Sequence, residues 1–310
     1  MTKKAPHKFK NLGFYILWIS IPMIQFFIMY ICVNANSLLL AFKSYDIENG
    51  FSWNGFKTFQ YTLNMIFKNP VESLIFKTAF KNSLISLGTS LLIGVPLSLI
   101  FSYFIYKKFF GSKFYRVMLF LPSILSVIVM VAVFRNFVDV FIPEALKKAF
   151  GIQFTGFLAN SKTRFGTLLF YSVFTSFGTT TLLYSSSMSS IDQSLIESAN
   201  IDGAKWWDEF IHIVLPSIYP NIVVFVVVAV ASVFTNQLNL YSFYQLNADV
   251  SDYTLGYYLY RQVMSASGYT TYPYLGALGI CFSVVIIPLT FCVRFLLNKL
   301  GPSAENWYEE

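Results

Sequence analysis

Six stretches of this chain, residues 11–42, 82–106, 117–134, 165–191, 213–248 and 262–293, contain no Asp, Glu, Lys, Arg or His. Each is 18 residues or longer. A helix that crosses the ~30 Å hydrocarbon layer of a bilayer needs about 20 mainly apolar residues. Six such runs restrict the chain to an all-α, polytopic membrane protein. Charged residues make up only 12% of the 310 positions, about half the share of a soluble domain, and mean hydropathy is +0.58. The expected spans lie at about 12–33, 82–106, 115–135, 165–190, 217–240 and 272–297 in one domain that covers 1–310, with an intervening loop at 191–216.

Six spans put both termini on one side. Lys and Arg divide evenly, 11 on each side, so the total does not orient the chain. Short loops close to helix ends carry the weight. The tail with Lys3, Lys4, Lys8 and Lys10 and the loop with Lys107, Lys108, Lys113 and Arg116 are short and dense in charge. Both termini are therefore expected in the cytoplasm. The apolar run after the tail is too long for a signal-peptide core of about 7–15 residues, so the first helix is read as retained. The net charge of +7 fits an anionic inner leaflet. No basic helix interleaved with exposed aromatics points to nucleic acid.

Several chemistries are missing from the sequence. There is no P-loop for ATP. His7 and His212 lack metal-ligand spacing, and Cys32, Cys281 and Cys292 sit inside apolar runs, as neither a disulfide framework nor a zinc site. No acid lies within a span, where an ion-coupled carrier commonly places one. No catalytic residue or metal site is expected, and the driving force is expected from another chain.

The loop at 191–216 has a distinct pattern. Asp192 can cap a short helix with Leu195, Ile196 and Ala199 on its apolar face. Asp202 can cap a second, with Ala204, Trp207, Phe210, Ile211 and Val214 at helical spacing, and Gly203 offers a permissive turn between them. Pro216 would open the next span. Two short helices at right angles would make a compact knob. Five acids against one lysine suit an anionic membrane surface badly, which favours a protein partner.

Glu197-Ser198-Ala199, then Gly203, then Ile213-Val214-Leu215-Pro216 resembles the Glu-Ala-Ala, Gly, Ile-x-Leu-Pro signature of permease subunits of bacterial ABC importers. The spacing is the same and Ser198 is the one departure. The run 199–204, with the segments 40–46 and 79–84, is similar to the carbohydrate branch, close to the oligosaccharide permeases of Gram-positive bacteria. The resemblance implies a type I ABC importer fold in the bacterial plasma membrane. It also implies a second homologous permease forming a heterodimer, two ATPases and an extracellular sugar-binding lipoprotein. ATP and magnesium would sit on the ATPase, with no cofactor in this chain. The 191–216 loop would be the coupling element, using Glu197, Ala199, Asp202, Gly203, Ala204, Trp207, Phe210, Leu215 and Pro216, with the Trp207/Phe210 face entering a cleft on the ATPase.

A sugar path needs hydroxyl-matching groups and ring faces in an apolar wall. Ser176, Gly178, Thr181 and Tyr184 on the fourth span and Asn236 and Asn239 at the end of the fifth supply candidates, and similar positions carry the contacts in maltose-transporter relatives. The same groups could instead join helices to one another. Two other readings stay open: an importer of a non-sugar solute, and an ATPase-independent channel or carrier.

Overall fold

The computed structural model describes residues 12–266 and 268–302, so the tail lysines and His7 lie outside the described residues. The chain is helical apart from turns and one two-stranded hairpin. Four described helices are long and apolar enough to cross a membrane: Gly13–Leu40, Pro70–Tyr106, Trp206–Phe234 and Thr271–Leu300. A fifth candidate is broken, with Ser112–Ile124 and Val127–Phe150 meeting at 107°. Ser161–Met188 is one continuous helix of 28 residues, but its many Ser and Thr leave it less apolar than those four.

The expected third span, 115–135, is thus corrected to two helices. Leu125 is extended, and the Ser126 side chain caps a new helix by accepting the Val129 N–H at 3.4 Å. Pro122 precedes the break and removes one backbone donor near it. The first span continues to Leu40 and the second begins twelve residues early, at Pro70. The fifth ends at Phe234 rather than near 240, because Thr235–Asn239 turn away with Leu238 and Asn239 in the left-handed region (φ 49° and 56°).

Three prolines share one arrangement inside these helices, which Pro22, Pro220 and Pro288 do not show and which the π-helical turn Phe27–Cys32 lacks. Three π-helical turns, Ser90–Gly94, Phe137–Phe141 and Phe210–Val214, each end two residues before a proline: Pro96, Pro143 and Pro216. The residue just before the proline donates its N–H five residues back, as Val95 to Ser90, Ile142 to Phe137 and Leu215 to Phe210. Proline lacks an N–H, and its ring crowds the carbonyl four residues earlier. A widened turn relieves that conflict without ending the helix. Pro216 therefore lies inside a span rather than opening one.

The chain divides into two units, residues 1–69 with 262–282 and residues 70–261 with 283–310. In the first, strands Lys43–Asp46 and Gly50–Trp53 pair antiparallel, with Lys43 opposite Trp53, and Gly50 turns at φ +68°. Phe42 stacks on Trp53 at 5.7 Å, and the Thr58 hydroxyl donates to the Lys43 carbonyl at 3.0 Å. Gly13–Leu40 is apolar all round and exposed along its length, the state of a helix that faces lipid or another chain.

The second unit packs Tyr103, Tyr184, Met188, Ile196, Phe210, Val214 and Ile218 into one buried cluster. That cluster joins the ends of three long helices to the 191–216 segment, so the fold itself holds the segment in place.

Candidate functional site

The 191–216 segment forms an elbow. The Asp192 carboxylate accepts the Ser194 N–H at 3.0 Å and caps the helix Gln193–Ile201. That backbone N–H holds Asp192 below the usual carboxylate range. Gly203 then turns at φ +80°, and Ala204 N–H closes onto Ala199 O at 3.0 Å. The second helix is not a separate short one. It is the first two turns of Trp206–Phe234, which the π turn lets run through Pro216. Asp202 ends the first helix instead of capping the second; Asp208 caps the second, accepting the Lys205 N–H at 3.2 Å.

The elbow sorts its apolar residues into two layers. Ile196, Phe210 and Val214 are buried. Leu195, Ile201, Trp206 and Trp207 are exposed, Ile201 at 85%. Phe210, expected to face a partner, instead points inward, its ring 4.9 Å from that of Tyr103, with Trp207 stacked outside it at 5.8 Å. Glu197, Asp202 and Gly203 are exposed, while Ala199, Ala204, Leu215 and Pro216 are half-buried.

Behind the elbow lies Glu209, 2% exposed. Lys107 Nζ stands 2.8 Å from its Oε2, and the Tyr103 hydroxyl lies 3.2 Å both from its Oε1 and from the Trp206 carbonyl. Tyr103 and Lys107 are one helical turn apart at the end of Pro70–Tyr106, so two adjacent side chains grip the elbow together. Sequence reasoning missed Glu209. The available signal was an acid set between Trp207 and Phe210, four residues ahead of an uncharged run.

A second polar cluster holds the other end. Arg164 Nε pairs with Asp252, and a terminal nitrogen pairs with Asp249 at 2.9 Å. Asn82 Nδ2 donates to Ser251 O at 2.8 Å and Tyr253 O at 2.9 Å, and Ser83 Oγ accepts the Leu255 N–H at 2.9 Å. Asn82 and Tyr103 are 21 residues apart on one helix, or about 32 Å at 1.5 Å per residue. That is close to the ~30 Å hydrocarbon thickness, so the two charge clusters sit where the two membrane faces belong.

Burial raises the Asp252 carboxyl, with Arg164 opposing it, whereas the Ser251 N–H lowers Asp249. Arg164→Gln strips Asp252 of that opposition and pushes its carboxyl further up. Folded protein then holds more protons than unfolded, so stability falls as pH rises. The expected outcome is a thermal-midpoint deficit that widens as pH rises above the usual carboxylate range, and that Asp252→Asn in the same background flattens. A deficit independent of pH would refute this account.

Between the two ends runs a hydroxyl-lined cleft of about 120 Å³, bordered by Ser86, Thr89, Ser90, Ser172, Ser176 and Asn236. A smaller space of about 40 Å³ shares Ser86, Ser90 and Asn236 and adds Ser83 and Ser232. Asn236 is fixed from three directions. Its Oδ1 accepts the Leu238 N–H at 2.9 Å, its carbonyl accepts the Thr254 hydroxyl at 2.8 Å, and its Nδ2 lies 3.4 Å from Ser86 Oγ. Gly256 permits this, since a Cβ there would come within 2.5 Å of the Thr235 carbonyl.

The structure brings Ser176 and Asn236 to one cleft and separates the other candidates from it. Gly178 is pressed against the Leu119 backbone carbonyl, where a Cβ would overlap it. Thr181 and Tyr184 are 0% exposed, and Tyr184 packs edge-on against Phe225 at 4.9 Å. Asn239, half-buried and left-handed, starts the short helix Leu240–Tyr244. Ser86, Thr89, Ser90 and Ser172 went unnoticed because single serines in apolar helices carry no spacing signal.

A family profile described as "binding-protein-dependent transport system inner membrane component" matches residues 94–306. The chain is 30% identical over 267 residues to the probable ABC transporter permease protein YesP of Bacillus subtilis, covering 84% of this chain and 82% of that one. It is 26% identical over 239 residues to AmyD of Thermoanaerobacterium thermosulfurigenes, a probable starch degradation products transport system permease protein, covering 76% and 77%. Its fold matches that of a bacterial ABC transporter involved in the import of the acidic polysaccharide alginate, with TM-score 0.75 and 21% identity over 94% of this chain and 98% of that one.

Proposed function

Because the chain belongs to the family of binding-protein-dependent transport system inner membrane components, we propose that it is the pore-forming permease of an ATP-driven oligosaccharide importer. It would work in the plasma membrane beside a second permease, two ATPases that carry ATP and magnesium, and an extracellular sugar-binding lipoprotein. Both termini and the 191–216 elbow would face the cytoplasm. The sugar assignment is supported by the named substrate of the AmyD relative and by the hydroxyl-rich cleft.

One observation carries the coupling role. Leu195, Ile201, Trp206 and Trp207 are exposed together on an elbow that Glu209, Lys107 and Tyr103 clamp from behind. An apolar surface backed by a buried ion pair suits docking to a protein, because force applied to it reaches the Pro70–Tyr106 helix directly. ATPase closure would push the elbow, and the elbow would move the helices that border the cleft.

Gly203→Asp tests this reading. Nothing lies within 4 Å of a Cβ at Gly203, so the only cost within the chain is the left-handed backbone, which Asp tolerates better than most residues. In a pull-down from native membranes, wild type is expected to bring down an ATPase and a second permease, and the variant is expected to lose the ATPase while remaining folded. No ATPase with wild type would sink the importer reading.

The cleft has its own test. Asn236→Ala is expected to abolish sugar uptake while the complex still assembles. Asn236→Asp keeps the oxygen that accepts Leu238 N–H and removes only the amide donor. Undiminished uptake in both variants would exclude Asn236 from the path.

A further inference from the structure

Beyond Tyr106 a tight turn carries Lys107 and Lys108, and the helix Ser112–Ile124 that follows it carries Lys113 and Arg116 near its start. Lys107 is committed to Glu209. The other three have no carboxylate within ion-pair distance among the described residues. All three border one cavity of about 370 Å³, the volume of roughly a dozen waters at ~30 Å³ each.

Ser112 also lines this cavity. It is 9% exposed. The helix Ser112–Ile124 starts here from Gly111, at φ +81°. Its first-turn N–H groups add positive partial charge to the same space. Three cations without a carboxylate partner and the start of a helix converge on a space that an oxyanion would complete.

The surroundings say where that oxyanion comes from. Phe110 is fully exposed and Phe114 is 61% exposed, with Phe109 and Tyr115 close to half. A soluble ion gains nothing from such a ring collar, whereas an acyl chain does. We infer that residues 108–116 form a binding site for the phosphate headgroup of an anionic phospholipid, with the glycerol and upper acyl chain against the Phe110 and Phe114 rings. The inference rests on the membrane orientation proposed above, which puts this turn at headgroup level.

The test uses the full chain in nanodiscs of phosphatidylcholine alone or with phosphatidylglycerol. Wild type is compared with the Lys108→Gln/Lys113→Gln/Arg116→Gln variant by thermal unfolding. Phosphatidylglycerol is expected to raise the wild-type midpoint by about 2–4 °C or more and to leave the variant nearly unmoved, the two midpoints agreeing in phosphatidylcholine alone. No rise with wild type, or an equal rise with the variant, overturns the site. A rise reproduced by inorganic phosphate in phosphatidylcholine discs assigns the site to free phosphate and overturns the lipid source.

Sidedness is read separately by labelling Phe110→Cys with a membrane-impermeant maleimide. Reaction in inverted vesicles but not in intact cells supports a cytoplasmic location. Reaction in intact cells would reverse the orientation without altering the disc result, because both disc leaflets share one composition.

Discussion

Lys107→Ala is expected to destabilise the protein by about 3–5 kcal/mol, the range for breaking a buried ion pair from one side. The Glu209 side chain is only 3% accessible and that of Lys107 24%. Removing the lysine leaves a carboxylate that cannot reach water. Removing the acid by Glu209→Ala leaves an ammonium that can. The two truncations should therefore differ, with the lysine loss the worse, and the double variant should be no less stable than Lys107→Ala alone. Thermal unfolding in detergent micelles measures all three. Equal and additive losses would show that the two side chains do not act as a pair. Because the pair braces the elbow, the ATPase should also copurify poorly with Lys107→Ala even below its unfolding temperature.

Gly178→Ala is the second large effect. The added Cβ would fall on the Leu119 backbone carbonyl, which has no flexible end to swing away. Helices Ser112–Ile124 and Ser161–Met188 would have to part, and overpacking of this kind costs about 1–3 kcal/mol or more. Small residues at such crossings let backbones approach in membranes, and Gly178→Leu should prevent assembly altogether. Gly88 and Gly166 are the controls. A Cβ at either meets nothing within 4 Å, so alanine there should be neutral or gain up to about 1 kcal/mol in helix propensity. An unchanged thermal midpoint in Gly178→Ala, with altered sugar uptake, would return Gly178 to the sugar path.

Each charge-free run overlaps a long helix or the broken pair, because an uncompensated charge is what a membrane helix excludes, but the runs did not set the helix ends. The same criterion was blind to stops made of uncharged polar residues. Asn236, Gln237 and Asn239 ended the fifth helix inside an unbroken uncharged run, and Ser126 restarted a helix in the middle of the third. The elbow's position, its Asp192 cap and the Gly203 turn were legible from local chemistry. Which side of it faced inward was not. Trp207 and Phe210 share a helical face by spacing, but only the position of Tyr103, a hundred residues away, decides that Phe210 is covered and Trp207 left outside. The serines of the cleft were hidden for the same reason, since their meaning comes from three helices meeting at Asn236.

The turns ahead of Pro96, Pro143 and Pro216 have a geometric consequence. Each holds one surplus residue, and one residue is about 100° of azimuth in an α-helix. The halves of a helix on either side of such a turn are thus out of phase, and an apolar stripe counted along one half does not continue along the other. In Trp206–Phe234 this lets a single rod serve two neighbours. Its first turns aim Glu209 and Phe210 at Tyr103 and Lys107, and its later turns aim Phe225 at Tyr184. The two aims are set independently, with Pro216 as the dividing mark.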